Sequence, residues 1–440
     1  KAVKNLIEES GIDKSNIKAM GISNQRETSI AFRKNTGEAI RNAIVWQCSR
    51  SRGVCQRIKG NDLENVIKVR TGLNISPHLS APNFSWMLEN DYEVKREFKN
   101  GNLAFGNMDS YLLYRLTNGK EFKSDYSNAS RTLLLNLQAL EWDSEICKVF
   151  KIDESILPKV VPSDSVFGYT NLEGLLTREI PILAMMGDSH AALFAHGCLG
   201  KGDIKVTYGT GSSVMMNIGD KPMLSNNGLA TSVGFGLKGK VYYVLEGNIN
   251  YAGAVIKWLQ DDLHIIDEAT DVEKFCRSID STNGVYLVPA FSGLGAPHWD
   301  SEARAIICGM NRETKKEHIV RAALESIAYQ VNDIVEIMQR ETGVEIKTIK
   351  VDGGAIKNKF LMQFQSNISQ LEVDMPQIEE FSGAGVAIMA GIKQGLYNYN
   401  ELKNIDVVNK VNGYMKEEFR MKLLKGWRKA LALTKTYSRL

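Results

Sequence analysis

The chain has 440 residues, 43% of them hydrophobic and 24% charged, a folded globular composition and a length that suggests two or three domains. Fifty-four lysines and arginines oppose fifty-one aspartates and glutamates for a formal charge of +3, so no excess of either sign argues for nucleic acid or a membrane surface as partner. Six scattered cysteines (Cys48, Cys55, Cys147, Cys198, Cys276, Cys308) form no C-x-x-C pair and no zinc-type cluster, and neither an apolar run of about 18 residues nor a secretory pattern is present, so reduced thiols and a cytoplasmic location are expected.

Residues 2–11 read as the end of an amphipathic helix stopped by Gly11, so the sequence begins inside an element. Three β-prone runs follow, at 17–22, 28–32 and 42–46. Between the first two lies Asn24-Gln25-Arg26-Glu27. There Arg26 offers paired N–H donors and Glu27 accepts from O–H groups, the set that grips vicinal hydroxyls, although the same neighbours also suit a surface ion pair. Trp46, taken alone, fits the core. Residues 51–115 are mostly helical in pattern with breaks at Pro77 and Pro82, and 125–132 form a polar turn of the kind that caps and fixes loops.

Residues 180–186 are a continuous apolar run, read as a buried strand, followed by Gly187-Asp188 and a small-residue helix over 189–196. Asp188 thus stands at a helix start, where it can cap and where the helix dipole favours its anionic, proton-accepting form. His190 and His196, six apart, do not meet as metal ligands; with His298 they fit packing or surface roles. The run 205–208 enters the turn Gly209-Thr210-Gly211 and 214–216 leaves it, a hairpin with an exposed tip. Its glycines let backbone N–H groups approach an anion, and Thr207, Thr210, Ser212 and Ser213 add hydroxyls, although an isolated G-x-G equally fits a plain tight turn.

Runs at 229–235 and 240–245 continue an antiparallel unit that leads into a helix over 253–259, an order that echoes the first 50 residues. A long helix over 315–342 follows, with Thr314-Lys315-Lys316-Glu317 resembling a capping box, a core stripe from Ile319 to Ile337, and Gly343 at its end. The strand 349–351 then ends in a second glycine turn, Asp352-Gly353-Gly354, ahead of a helix from Asn358. Ser382-Gly383-Ala384-Gly385 opens a helix whose small residues permit close approach of either a nucleotide or another helix. Two strand-tip glycine turns suggest two walls of one nucleotide site. No G-x-x-x-x-G-K-[ST] occurs, and Gly209-x-Gly211 lacks the third glycine and following helix of a dinucleotide fingerprint, which leaves the phosphate hairpins of actin-like ATPase folds.

Gly187-Asp188, Thr207-Tyr208-Gly209-Thr210-Gly211, the stretch from Pro289 to Pro297 and Val351-Asp352-Gly353-Gly354 together resemble the FGGY family of carbohydrate kinases over nearly the whole chain. Asn24-Gln25-Arg26-Glu27-Thr28, Ala43-Ile44-Val45-Trp46-Gln47 and Asp125 to Thr132 are similar to its glycerol kinase branch. The resemblance implies an α/β chain of two ribonuclease-H-like (actin-like ATPase) domains with an interdomain cleft: residues 1–192 binding the sugar or polyol and 193–440 the nucleotide. It implies transfer of the ATP γ-phosphoryl group to a small polyol or ketose with Mg²⁺, and allows a homodimer or homotetramer. Asp188 matches the general base and metal position, and Arg26, Glu27 and Trp46 match substrate contacts. Thr207, Gly209, Thr210, Gly211, Gly253, Lys257, Gly353, Gly354 and Asn358 fall on or beside nucleotide contacts, Gly354 near the adenosine.

The departures matter most for the substrate. His78 replaces a tyrosine, Ser189 a glutamine and Ser213 a phenylalanine; Lys257 stands for a glutamine and Asn83 for a lysine. A smaller, more polar wall predicts a longer polyol or a ketose as best substrate, with glycerol as the alternative and a non-catalytic nucleotide switch as the alternative of another class. The family also carries, ahead of residues 2–11, a first phosphate hairpin of Asp-x-Gly-Thr type. No such motif appears here, and little activity is expected without it.

Overall fold

The computed structural model describes residues 2–59, 63–376, 380–399 and 407–437. Its larger sheet has seven strands in the order Ala230–Leu237, Lys240–Ile249, Ser212–Gly219, Ile204–Tyr208, Thr348–Asp352, Glu372–Pro376, Val407–Val411. The first four are antiparallel, with Lys240–Ile249 lying between Ala230–Leu237 and Ser212–Gly219, and the hairpin of Ile204–Tyr208 and Ser212–Gly219 pairs Thr207 with Ser213 and Tyr208 with Ser212. Thr348–Asp352 runs parallel to Ile204–Tyr208 and sets Asp352 beside Thr207, so the two glycine turns leave the sheet side by side. The helix Lys316–Thr342 lies against this sheet with Val320, Ile327, Val331 and Ile334 buried, as its apolar spacing requires.

The smaller sheet has Ile180–Gly187 at its centre, parallel to Met20–Asn24 and antiparallel to Gly168–Thr170. A strand flanked on both sides and covered on both faces buries every second residue on either face, which is why residues 180–186 read as a continuous apolar run. The helix Phe381–Gln394 packs on both Met20–Asn24 and the helix Asp188–Ala195. A Cβ on Gly385 would collide with the Ala191 carbonyl and one on Gly21 would lie 2.7 Å from the Val386 carbonyl, so Gly385 serves helix packing.

Four local expectations change. The first 50 residues do not repeat the later antiparallel unit: Ile30–Arg33 pairs with Leu103–Gly106 in a separate ribbon, and residues 42–46 contribute only a bridge between Ser29 and Ile44. The runs are β-prone, but the apolar partner that covers each comes from far along the chain. Pro82 breaks nothing, because it sits in the first turn of Ser80–Asn90, where its missing N–H has no helical acceptor. Thr314 does not cap the long helix; the Lys315 N–H is taken by His318 Nδ1 at 2.9 Å, while the Thr314 hydroxyl accepts from Asn311 N. Asp188 is the first helical residue rather than the cap, which is Gly187.

Candidate active site

Residues 24–27 leave the edge strand Met20–Asn24 at the point where the central strand ends in Gly187 and turns into the helix Asp188–Ala195. Parallel pairing therefore brings Arg26 to Asp188 although the two are far apart in sequence. The Arg26 Nε lies 3.3 Å from Asp188 Oδ1, its Nη2 donates to Ser189 Oγ at 3.3 Å, and its Nη1 donates to Glu246 Oε2 at 2.9 Å. A Cβ on Gly187 would stand 2.5 Å from Arg26 Cγ, so only glycine lets the arginine lie across this corner.

Glu27 is buried in the left-handed region at φ 69°, and its Oε1 accepts from Arg131 Nε at 2.7 Å and Nη2 at 2.6 Å. The polar turn at 125–132 holds that arginine. Asp125 accepts from the backbone N–H groups of Ser127 and Asn128, and Asn128 exchanges amide hydrogen bonds with Asn24, which ties the turn to the corner. Trp46 is 41% exposed, not core, and its carbonyl accepts from His78 Nδ1 at 2.8 Å. The two rings stand 6.3 Å apart and inclined at 49°.

Two charged residues deep in this region escaped the sequence reading. Glu246 interrupts the buried run Val244-Leu245-Glu246-Gly247, and Lys205 interrupts Ile204-Lys205-Val206; a lone charge inside a central strand was the available signal. The Glu246 side chain is wholly buried and takes Arg26, the Arg131 Nη1 at 3.2 Å and the Ser213 hydroxyl at 3.3 Å. Burial pushes its carboxyl up, but the guanidiniums of Arg26 and Arg131 outweigh that and hold it well below the usual carboxylate range. Burial likewise opposes the charge of Arg26, and Glu246, Asp188 and Glu27 more than restore it. His190 lies beneath, fully buried, with its titration pulled far down by burial and by Arg26; it is a neutral packing residue.

At the other wall, the exposed tip Gly209-Thr210-Gly211 leans on the helix Gly253–Asp261, whose first N–H groups are spent on it: Gly253 N donates to Gly209 O at 2.9 Å and Ala254 N to Thr210 O at 3.0 Å. A Cβ on Gly253 would lie 2.7 Å from the Gly209 carbonyl, one on Gly211 would strike the Ile249 carbonyl, and one on Gly353, at φ 95°, the Tyr208 carbonyl. Gly354 faces open space. Behind the tip, Lys205 Nζ donates to Thr207 Oγ1 at 2.7 Å, and Thr207 also hydrogen-bonds Asp352. Asp352 accepts from His196 Nε2 at 2.7 Å while the imidazole stacks on Phe381. Burial lowers the titration of His196 against the pull of Asp352, so the ring is neutral and donates to an anionic carboxylate. His196 thus braces the second glycine turn. Asn358 caps Lys359–Ser369 by accepting from Leu361 N, and Lys257 is exposed and faces Asp261 at 3.7 Å.

The structure therefore groups Arg26, Glu27, Ser189, Ser213 and Asp188 around one cluster, with Trp46 and His78 as a neighbouring pair, and sets Thr207, Gly209, Thr210, Gly211, Gly253 and Gly353 together at the hairpin. This fold, with a half-exposed aspartate beside an arginine and two glycine turns leaving one sheet side by side, is that of the actin-like ATPase-fold phosphotransferases. The FGGY family of carbohydrate kinases matches with its N-terminal domain over residues 1–195 and its C-terminal domain over 204–393. The chain is 46% identical over 430 residues to a glycerol kinase of Caldanaerobacter subterraneus subsp. tengcongensis, covering 97% of this chain and 86% of that one. It is 48% identical over 432 residues to glycerol kinase 1 of Thermotoga maritima, covering 98% and 88%. Among solved structures, Plasmodium falciparum glycerol kinase with ADP superposes with a TM-score of 0.90 at 34% identity, covering 98% of this chain and 88% of that one.

The chain belongs to the FGGY family of carbohydrate kinases. It is an enzyme of the phosphotransferase class with an alcohol group as acceptor and ATP as donor. Among the described residues no helix is long and apolar enough to cross a membrane.

Proposed function

We propose that the protein transfers the ATP γ-phosphoryl group to glycerol, and the observation that carries this reading is the Arg26–Glu27 corner beside Asp188. Arg26 keeps a guanidinium edge toward Asp188, and Glu27 keeps one carboxylate oxygen that makes no hydrogen bond among the described residues. Together they offer donors and an acceptor to adjacent hydroxyls, with Trp46 against the carbon chain. Asp188, 43% exposed at its side chain, accepts the proton of the attacking hydroxyl. Thr210 and the N–H groups of Thr210 and Gly211 receive the transferring phosphoryl group, while the Gly209 N–H, spent on the Gly211 carbonyl, and the Thr207 hydroxyl, spent on Asp352, hold the tip in shape; Gly353, Gly354 and Asn358 border the nucleoside.

Magnesium fits this donor set. No group of three or more histidine, cysteine, aspartate or glutamate side chains gathers among the described residues, and Mg²⁺ at nucleotide sites takes one or two carboxylates plus phosphate oxygens. Asp188 would hold it, and the ion would supply charge neutralisation on the phosphates.

Of the three departures at substrate positions, His78, Ser189 and Ser213, the last two are engaged by the corner itself. Ser189 Oγ accepts from Arg26 and Ser213 Oγ donates to Glu246, so both hydroxyls are engaged in holding the corner. The relatives at 46% and 48% identity, both glycerol kinases, support glycerol as the acceptor. Coupled ADP release by the full-length protein with glycerol, erythritol, ribitol, xylulose and ribulose tests it. The expected result is a kcat/KM for glycerol at least tenfold above any other; a higher value for a pentulose or pentitol would overturn the assignment. The same reading carries a division near residues 192 and 193 into polyol and nucleotide halves, a cytoplasmic location, and a homodimer or homotetramer that light scattering would read.

A further inference from the structure

We infer that Glu246, which lies in the nucleotide half, is the positioning residue that assembles the polyol corner. The inference rests on the polyol-kinase reading above. Five charged groups alternate in sign across the cluster: Glu27, Arg131, Glu246, Arg26 and Asp188. Four of them fall in the stretch matched by the N-terminal family domain; only Glu246, at the centre, falls in the stretch matched by the C-terminal one. Its strand position pairs it with Met215 and Ala230, so its backbone belongs wholly to the large sheet.

The Glu246 side chain has no exposed surface and so cannot touch a substrate. Its work is done through its partners. By holding Arg26 at Nη1 it leaves Nε and Nη2 for Asp188 and Ser189, and by facing Arg131 it keeps that guanidinium turned so that Nε and Nη2 grip one oxygen of Glu27. Without the central carboxylate, two buried guanidiniums would face each other with only Glu27 and Asp188 to neutralise them. Arg26 would collapse onto Asp188, and the free oxygen of Glu27 would be drawn in. Acceptor recognition, though carried by residues of one half, is thereby completed by the half that holds the nucleotide.

The test is Glu246→Gln and Glu246→Asp in the full-length protein, each measured for KM of glycerol, Kd of ADP and kcat. Glu246→Gln is expected to raise the glycerol KM at least tenfold while the ADP Kd stays within twofold. Glu246→Asp keeps the charge on a shorter arm and is expected to fall between it and wild type. An unchanged glycerol KM, or equal losses of glycerol and ADP affinity, would overturn the inference, the latter by marking Glu246 as a general structural residue. If Glu246→Gln does not fold, the Glu246→Asp comparison decides by the same split. Wild-type turnover is scored separately: no stimulation by any polyol would overturn the proposed function itself, and this inference with it.

Discussion

On the proposed reading, the polyol corner and the hairpin tip meet a ligand with opposite materials. At the corner the contacts are side chains, Arg26 and Glu27, fixed by a buried alternation of charge through Arg131 and Glu246. At the tip the contacts are main chain, held by the hairpin register and by the first N–H groups of Gly253–Asp261, with glycine wherever a Cβ would strike a carbonyl. Removing one member of a buried charge network strands its partner, whereas a main-chain tip tolerates loss of a side chain and fails on addition of one. The corner should be broken by neutralisation and the tip by a methyl group.

The largest effect belongs to the proposed proton acceptor of the corner. Asp188→Asn keeps the shape but removes the proton acceptor, and kcat is expected to fall roughly 10²- to 10⁴-fold with ADP affinity unchanged. Retention of a tenth of the wild-type kcat would remove Asp188 from that role. Arg26→Lys keeps the charge but loses the fork that reaches Glu246, Ser189 and Asp188 at once; glycerol KM should rise about 10- to 100-fold, about 1.4 to 3 kcal/mol, without change in the KM for ATP. At the tip, Gly211→Ala drives a Cβ into the Ile249 carbonyl and should raise the KM for ATP about tenfold through about 1 to 3 kcal/mol of backbone strain. Thr210→Ala, which deletes a hydroxyl and leaves the main chain, should cost much less. Equal losses would dissolve the contrast between the walls.

A smaller effect concerns the floor of the corner. Asp109 is buried beside the Asp125 turn, and burial, opposed by the Ser124 hydroxyl and reinforced by Asp125, pushes its carboxyl up to about 7. Unfolded, an aspartyl carboxyl titrates near about 3.9. The folded chain therefore holds the proton where the unfolded chain has lost it. The stability this contributes is complete below about pH 4 and disappears as pH rises through about 7. Asp109→Asn is neutral throughout, so its Tm should fall less than that of wild type between pH 5 and pH 8; parallel pH profiles would contradict the assignment.

Much of this was legible in the sequence because it is local. The hairpin tip, the buried strand ending in Gly187-Asp188, and the individual strands between 204 and 249 are set by apolar runs and glycine turns within short windows. Arg26, Glu27 and Trp46 were singled out together by the resemblance to the glycerol kinase branch, since residue chemistry alone left the Arg26–Glu27 pair open and placed Trp46 in the core. What could not be read locally was how distant segments meet. The strand 30–33 found its partner at 103–106, residues 42–46 paired hardly at all, and Arg26 met Glu246 across 220 positions. Ser189 and Ser213 illustrate the difference. As substitutions they suggested a roomier, more polar pocket, while in three dimensions their hydroxyls are tied to Arg26 and Glu246.

The most direct test of the central claim is product analysis. The full-length protein is incubated with ATP, Mg²⁺ and glycerol, and the phosphorus NMR spectrum is followed beside that of Asp188→Asn. Growth of a glycerol phosphate resonance matched one for one by ADP, and absent from the variant, is the predicted result. ADP formed with inorganic phosphate alone, or equally by wild type and variant, would contradict the reading of this corner as a phosphoryl-acceptor site.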